Sequence, residues 1–173
     1  MGQRCFIALG ANLGDPVRTV TAAIAALRVL PDTEFLAASS LYRTAPVGLR
    51  HQPDFINAVV ELVALSSKGT SAGASQARTL LQSLFEIEGR FGRQRSVKNA
   101  PRTLDLDLLL YGDEISDDPD LMLPHPRLHE RAFVLAPLVE IAPRLVVPGR
   151  GVVAELLLRC ADQRVEKLAT HSV

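Results

Sequence analysis

Asp105 and Asp107 stand two apart between leucines in the stretch KNAPRTLDLDLLLYG, residues 98–112. Side chains on a β-strand alternate faces, so both carboxylates share one face while Leu104, Leu106 and Leu108 take the other. Like charges that close repel unless a cation compensates them. A divalent metal answers that need. Magnesium prefers oxygen ligands, keeps several waters, and is commonly held by one or two carboxylates together with substrate phosphates. Arg102 precedes the pair behind Pro101, and Arg90, Arg93, Arg95 and Lys98 crowd the segment upstream. The chemistry implied is a metal–polyphosphate complex in which ions and guanidiniums neutralise charge developing during group transfer. Arg102 and the carboxylates could equally form a plain salt-bridge network, but that leaves four upstream cations without a role.

Two other groupings carry chemistry. In YRTAPVG and QPDFINAVVEL, residues 42–48 and 52–62, Thr44 precedes a bend at Pro46 and Gly48. The irregular backbone there has N–H and C=O groups that need partners. Phe55 and Asn57 open a strand and share a face, which suits a planar heterocycle stacked on a ring and bonded by a carboxamide. The plainer alternative is a core Phe and a turn-forming Asn. In LPHPRLHERAFVLAPLVEIAP, residues 123–143, His125 lies between prolines and is followed by His129 and Arg131. The two histidines lack the helix and intervening Glu of a metal-binding pair. Hydrogen bonding of His125 and Arg131 to phosphate or ribose fits better. Phe133 is either core or a second aromatic plate opposite Phe55, and spacing does not choose between them.

These residues need a scaffold. Residues 4–10 read as a buried strand, and Asp15–Pro16 as an N-cap and first helical position. The helix ends before Pro31. Residues 34–43 read as extended, 54–65 as a strand, 66–75 as a small, polar connection, and 76–90 as a helix with Leu80, Leu81, Leu84 and Ile87 inward. A strand from Leu104 to Tyr111 follows, then an acidic turn, a short extended piece at 121–124, and helices near 129–141 and 152–160. The order β-α-β-β-α-β predicts an α+β fold: a ferredoxin-like split βαβ core, helices on one face of an antiparallel sheet, plus a C-terminal extension. One domain over residues 1–173 is expected.

Composition narrows the class. With 19 basic and 19 acidic residues the net charge is zero, unlike a surface built for nucleic acid or anionic membrane. Cys5 and Cys160 have no metal spacing and read as reduced thiols. No apolar run spans a bilayer and no signal peptide is evident, so a cytoplasmic protein is expected. No GxxxxGKS or GxxxxGKT loop occurs, and GANLGD at 10–15 reads as a turn, so any nucleoside triphosphate must be held by side-chain cations and metal.

Taken in order, ALGANLGD, YRTAPVG, QPDFINAVVEL, KNAPRTLDLDLLLYG and LPHPRLHERAFVLAPLVEIAP resemble the 6-hydroxymethyl-7,8-dihydropterin pyrophosphokinases of folate biosynthesis. The resemblance implies pyrophosphoryl transfer from ATP, as co-substrate, to the hydroxymethyl oxygen of the dihydropterin, giving AMP. It assigns Asp105 and Asp107 to two Mg2+ ions. Arg93 and Arg102 contact the triphosphate and assist transfer, with Arg95 a further phosphate contact. His125 and Arg131 bind the nucleotide, and Glu88 and the Leu108 backbone touch its adenosine part. Thr44, Val47 (through its backbone) and Asn57 recognise the pterin, and Phe55 and Phe133 sandwich it. A monomer acting on these two small molecules, without nucleic-acid or membrane partners, is expected. Three departures stand out: Asn99 where a tryptophan is frequent, Ala100 for glycine, and Lys98 for arginine. The arginines lie on glycine-containing loops (Gly89, Gly92), so ATP is expected to order them before the pterin is committed. The rival from another class is a split βαβ nucleic-acid-binding module using the basic loop 90–102.

Overall fold

The computed structural model describes residues 2–46, 51–66, 73–92 and 103–169. Its layering follows from one strand that is apolar on both faces. In β1 (Gln3–Ala11), Cys5, Ile7, Leu9 and Ala11 enter one core while Phe6 enters another. On one side of β1 lies β4 (Phe55–Ala64) and on the other β5 (Asp105–Tyr111), both antiparallel to it. The outer edge of β4 is covered by β2 (Thr33–Ala38) and β3 (Tyr42–Thr44), two halves of one interrupted strand. Ser39 bridges the break: its N–H donates to the Val59 carbonyl at 2.9 Å, and its hydroxyl accepts from Val59 N–H at 2.9 Å.

The first core is closed by α1 (Pro16–Arg28) and α2 (Gly73–Arg90). Asp15 caps α1 as expected, its side chain accepting from Arg18 N–H at 3.2 Å, with Pro16 in the first turn. Val20, Ala23 and Leu27 from α1, and Ala77, Leu80, Leu84 and Ile87 from α2, bury their side chains against the odd residues of β1. Each fully buried Val, Leu or Ile among them contributes roughly 1.5–3 kcal/mol.

The second face is covered too, which the one-faced arrangement expected from the sequence did not include. Here α3 (Ala132–Ile141) and α4 (Val153–Leu158) pack on Phe6, Val59, Leu109 and Leu110. The α3 sequence AFVLAPLVEI is apolar nearly all round, as a helix buried between layers must be. The helix expected at 129–141 is a 3-10 turn (Leu128–Glu130) followed by α3, and Pro137 has no N–H for the Phe133 carbonyl four residues earlier. Two small hairpins flank this layer: β6 (Ser116–Asp118) with β7 (Leu121–Leu123), and β8 (Val146–Val147) with β9 (Gly151–Val152). The acidic turn thus runs partly as strand. Last, β10 (Glu166–Lys167) pairs with β3 at the sheet edge. Among the described residues the fold is α+β, an antiparallel sheet with four α-helices, none long and apolar enough to cross a membrane.

A bulge in β5 sorts its side chains. Phe6 pairs with Leu110 and Ile7 with Leu108, leaving Leu109 without a partner on β1. Leu109 and Leu110 therefore both face the second core, while Leu104, Leu106 and Leu108 face the first. Asp105 and Asp107 lie on the second face, beyond the end that α3 and α4 cover.

Candidate active site

The uncovered end of that face is built from three adjacent strands. Gly10 of β1 pairs with Asn57 of β4 on one side and Asp105 of β5 on the other. Ala8 likewise lies between Val59 and Asp107. The central strand thus contributes only small residues, and the carboxamide and carboxylates stand two strand spacings apart, about 10 Å between backbones. A Cβ on Gly10 would lie 3.3 Å from Asn57 Oδ1, so glycine is what lets the carboxamide rest close to the floor.

Above this floor is a cavity of ≈ 720 Å3. Thr44, Phe55 and Asn57 line one end, and Asp105, Asp107 and Leu108 the other. His125, Arg131 and Phe133 form the opposing wall. Nine of the expected site residues, separated widely in sequence, therefore meet in one space. Glu88 does not line it. It is 2% exposed, on the α2 side of β5, where its Oε2 accepts from Leu106 N–H at 3.2 Å. Val47, Arg93, Arg95 and Arg102 lie outside the described residues, as do Lys98, Asn99 and Ala100 and the expected ordering of their segment.

Each wall is held by specific bonds. Asn57 Nδ2 donates to Thr44 Oγ1 at 2.9 Å, and both residues are buried. A carboxamide has two N–H donors and a carbonyl acceptor, so this bond orients Asn57 without exhausting it. Asn12, also buried, donates to Gln52 Oε1 at 2.9 Å and to the Pro53 carbonyl at 3.1 Å, tying the turn after β1 to the entry of β4. His125 is anchored by its own N–H to the Leu109 carbonyl at 2.9 Å, and its Nδ1 accepts from Arg127 N–H at 3.2 Å. Burial, then the neighbouring Arg131 and to a lesser degree Arg127, push its pKa down to about 4 against the opposing pull of Asp105. The ring is thus neutral near pH 7, and with Nδ1 accepting, Nε2 carries the hydrogen and is a donor. The Arg131 guanidinium lies 5.5 Å from the centre of the Phe133 ring.

The donor set fits magnesium. Two carboxylates on one face, at the edge of a cavity with room for water and phosphate oxygens, match the partial protein shell that ion takes. Among the described residues no group of three or more His, Cys, Asp or Glu could hold a metal, so a zinc-type cage finds no ligands there.

Several lining residues escaped sequence reasoning. Phe85 of α2 is 37% exposed and Met122 of β7 is 43% exposed, both apolar and both at the cavity. Phe85 sits one position off the apolar stripe of α2, a large aromatic on an otherwise polar face, and that was a legible signal. Gln163, in the segment after α4, also reaches the cavity and gave no signal.

The family model for 7,8-dihydro-6-hydroxymethylpterin-pyrophosphokinase matches residues 6–143. A 2-amino-4-hydroxy-6-hydroxymethyldihydropteridine pyrophosphokinase of Haemophilus influenzae is 40% identical over 163 residues, spanning 94% of this chain and 96% of its own. That of Pseudomonas aeruginosa is 40% identical over 168 residues, spanning 97% and 98%. Among solved structures, a Plasmodium falciparum HPPK-DHPS A437G/K540E with pterin and p-hydroxybenzoate superposes with a TM-score of 0.68 at 11% identity. It covers 94% of this chain, which spans 44% of that one, and at such identity the likeness speaks for the fold alone. These matches give a nucleic-acid-binding module no support.

Proposed function

The chain belongs to the 7,8-dihydro-6-hydroxymethylpterin-pyrophosphokinase family, and from that premise we propose which of its residues perform the reaction. The reaction is transfer of a pyrophosphoryl group from ATP to 6-hydroxymethyl-7,8-dihydropterin in folate biosynthesis. The observation that carries the assignment is the shared cavity, with Asn57 and Phe55 at one end and Asp105 and Asp107 at the other across a floor of Gly10 and Ala8.

Asn57, held by Thr44, reads the polar edge of the pterin, a role the family resemblance also gives to Val47. Phe55 on the sheet and Phe133 on the opposing wall take the two ring faces. This orientation points the hydroxymethyl group along the floor toward β5. Asp105 and Asp107 would hold magnesium, two ions by family resemblance, which would neutralise charge on the phosphate oxygens. Arg131 and the neutral His125 Nε2–H donate to the nucleotide, and Arg93, Arg95 and Arg102 add guanidiniums along the triphosphate. Glu88 supports rather than touches: its bond to Leu106 N–H fixes the residue between the two aspartates. The exposed apolar faces of Phe85 and Met122, away from Asn57, suit the adenine ring. In this arrangement catalysis is alignment of the hydroxyl for in-line attack on the β-phosphorus, plus stabilisation of charge as AMP leaves.

The strand sequence β5–β1–β4–β2/β3, every neighbour antiparallel, supports reading the core as a ferredoxin-like split βαβ. We read the enzyme as one domain over residues 1–173, a cytoplasmic monomer acting on small molecules, and the buried free thiols of Cys5 and Cys160 suit a reducing compartment. The test is AMP formation from ATP, magnesium and the pterin by wild type and by Asn57→Ala. The variant should raise KM for the pterin about 10- to 100-fold, the loss expected of a buried recognition bond, and leave KM for ATP unchanged. Equal effects on both substrates would refute the placement of the pterin.

A further inference from the structure

Arg131 and Phe133 enter the cavity from the first residues of α3, and what holds that helix start lies far away in sequence. Arg131 is the N-cap of α3 but its side chain makes no capping bond. The first N–H groups of a helix have no partner within it. One is met from 31 residues on: Ala132 N–H donates to Gln163 Oε1 at 2.9 Å. The same carboxamide donates through Nε2 to the Glu130 carbonyl at 2.7 Å. The two bonds bracket Arg131. Gln163 is itself fixed, its N–H donating to the Cys160 carbonyl at 3.0 Å in the turn that follows α4, where Cys160 is buried. Gln163 also lines the cavity.

We propose that Gln163 is a positioning residue for the transfer reaction, its carboxamide setting the bend at residues 130–132 so that Arg131 and Phe133 meet the substrates. It lies beyond residue 143, where the match to the family model ends, and it is not among the residues to which the resemblance gives a role. The inference rests on the reading that Arg131 and Phe133 touch substrate. A carboxamide is suited to this place because one group supplies both the acceptor for Ala132 and the donor for Glu130. An apolar side chain of equal size supplies neither.

The test is a double-mutant cycle on the full chain, with kcat and KM for each substrate read from AMP release at saturating magnesium. Gln163→Met keeps the volume and removes both bonds; it is expected to lower kcat/KM for ATP about 10-fold, chiefly through KM. Combined with Arg131→Ala, it should cost no more than about twofold beyond Arg131→Ala alone, because the group it positions is gone. Losses that multiply in full would overturn the proposal. So would a Gln163→Met enzyme with wild-type KM and kcat but a lower melting temperature, the behaviour of a helix cap and nothing else. Gln163→Glu guards against a misfolded variant, since it keeps the bond to Ala132 N–H and favours a helix N-terminus. It should retain its melting temperature and lose about threefold in kcat/KM through the missing donor to Glu130, and a wild-type value would also overturn the proposal. Arg131→Ala with undiminished kcat/KM is a separate failure, which would remove the site reading and the proposal with it.

Discussion

At the scale of single residues, the decisive contrast lies between groups whose role is local and groups whose role is borrowed. Asp105 and Asp107 are local: two positions apart on a strand, they share a face wherever that strand goes. In the proposed assignment, removing either carboxylate takes away a ligand for the ion that would neutralise the transferred phosphates. Asp105→Ala and Asp107→Ala should each lower kcat about 10²- to 10³-fold, the size of loss that removing one preorganised charge-stabilising group brings. Neither should lower the melting temperature much, because both side chains stand at the cavity rather than in a core. AMP formation near the wild-type rate in either variant would show the metal assignment to be wrong. This pair was legible from sequence because a period of two is all it needs. Asn57 was half legible: its face followed from Phe55, but its bond to Thr44 depends on a strand pairing 13 residues apart. Gln163 was illegible, since a glutamine in a loop acquires meaning only when α4 returns it to the start of α3.

Among the elements, β1 sets the site by what it omits. Its cores are filled by Cys5, Ile7, Leu9 and Phe6, yet the site face ends in Ala8 and Gly10. The sequence made β1 legible as a strand, and its glycine as the place where the strand stops. The structure instead carries the strand through Gly10 to Ala11, with Asn57 and Asp105 as its neighbours there. Glycine in a strand often marks a close approach by another group, and here the Asn57 carboxamide is one such group. Gly10→Val introduces a residue favoured in strands but puts branched carbon against Asn57 Oδ1. We expect it to raise KM for the pterin at least about tenfold, within the range overpacking costs, while KM for ATP changes less. An unchanged pterin KM would mean that the ring does not cross this floor. The split of the edge into β2 and β3 was not legible, because it depends on the Ser39 hydroxyl replacing a ladder carbonyl for Val59.

Over the whole molecule, the cavity exists because two layers are tied together at both ends of α3. Gln163 holds the start. At the other end Glu140 accepts from Ser40 N–H at 2.9 Å, Ser40 Oγ at 3.0 Å and Tyr42 OH at 2.6 Å, with Lys167 Nζ at 3.8 Å. These bonds join α3 to the strand that carries Thr44, and so fix the spacing between Phe133 and the sheet. Burial raises the Glu140 pKa, but the bonds from Tyr42 and Ser40 and the Lys167 ammonium outweigh it, and the net shift is downward from 4.5. A carboxyl depressed in the fold stabilises it above its unfolded pKa and loses that contribution as pH falls below 4.5. His125, on the facing wall, is depressed from 6.5 to about 4, so between those values the unfolded chain binds the extra proton and stability falls as pH drops. The ligand-free enzyme should therefore lose stability in two steps on acidification, one beginning near pH 6.5 and one below 4.5. His125→Asn keeps an acceptor for Arg127 N–H and should flatten only the upper step. Glu140→Gln should lower stability at pH 7 by about 1–2 kcal/mol, through the acceptor it loses, and flatten only the lower step. Melting temperatures from pH 8 to 3 for the three proteins resolve the two contributions. An upper slope that survives in His125→Asn would mean that the imidazole is solvated, and that the wall built on residues 123–127 does not close over the cavity.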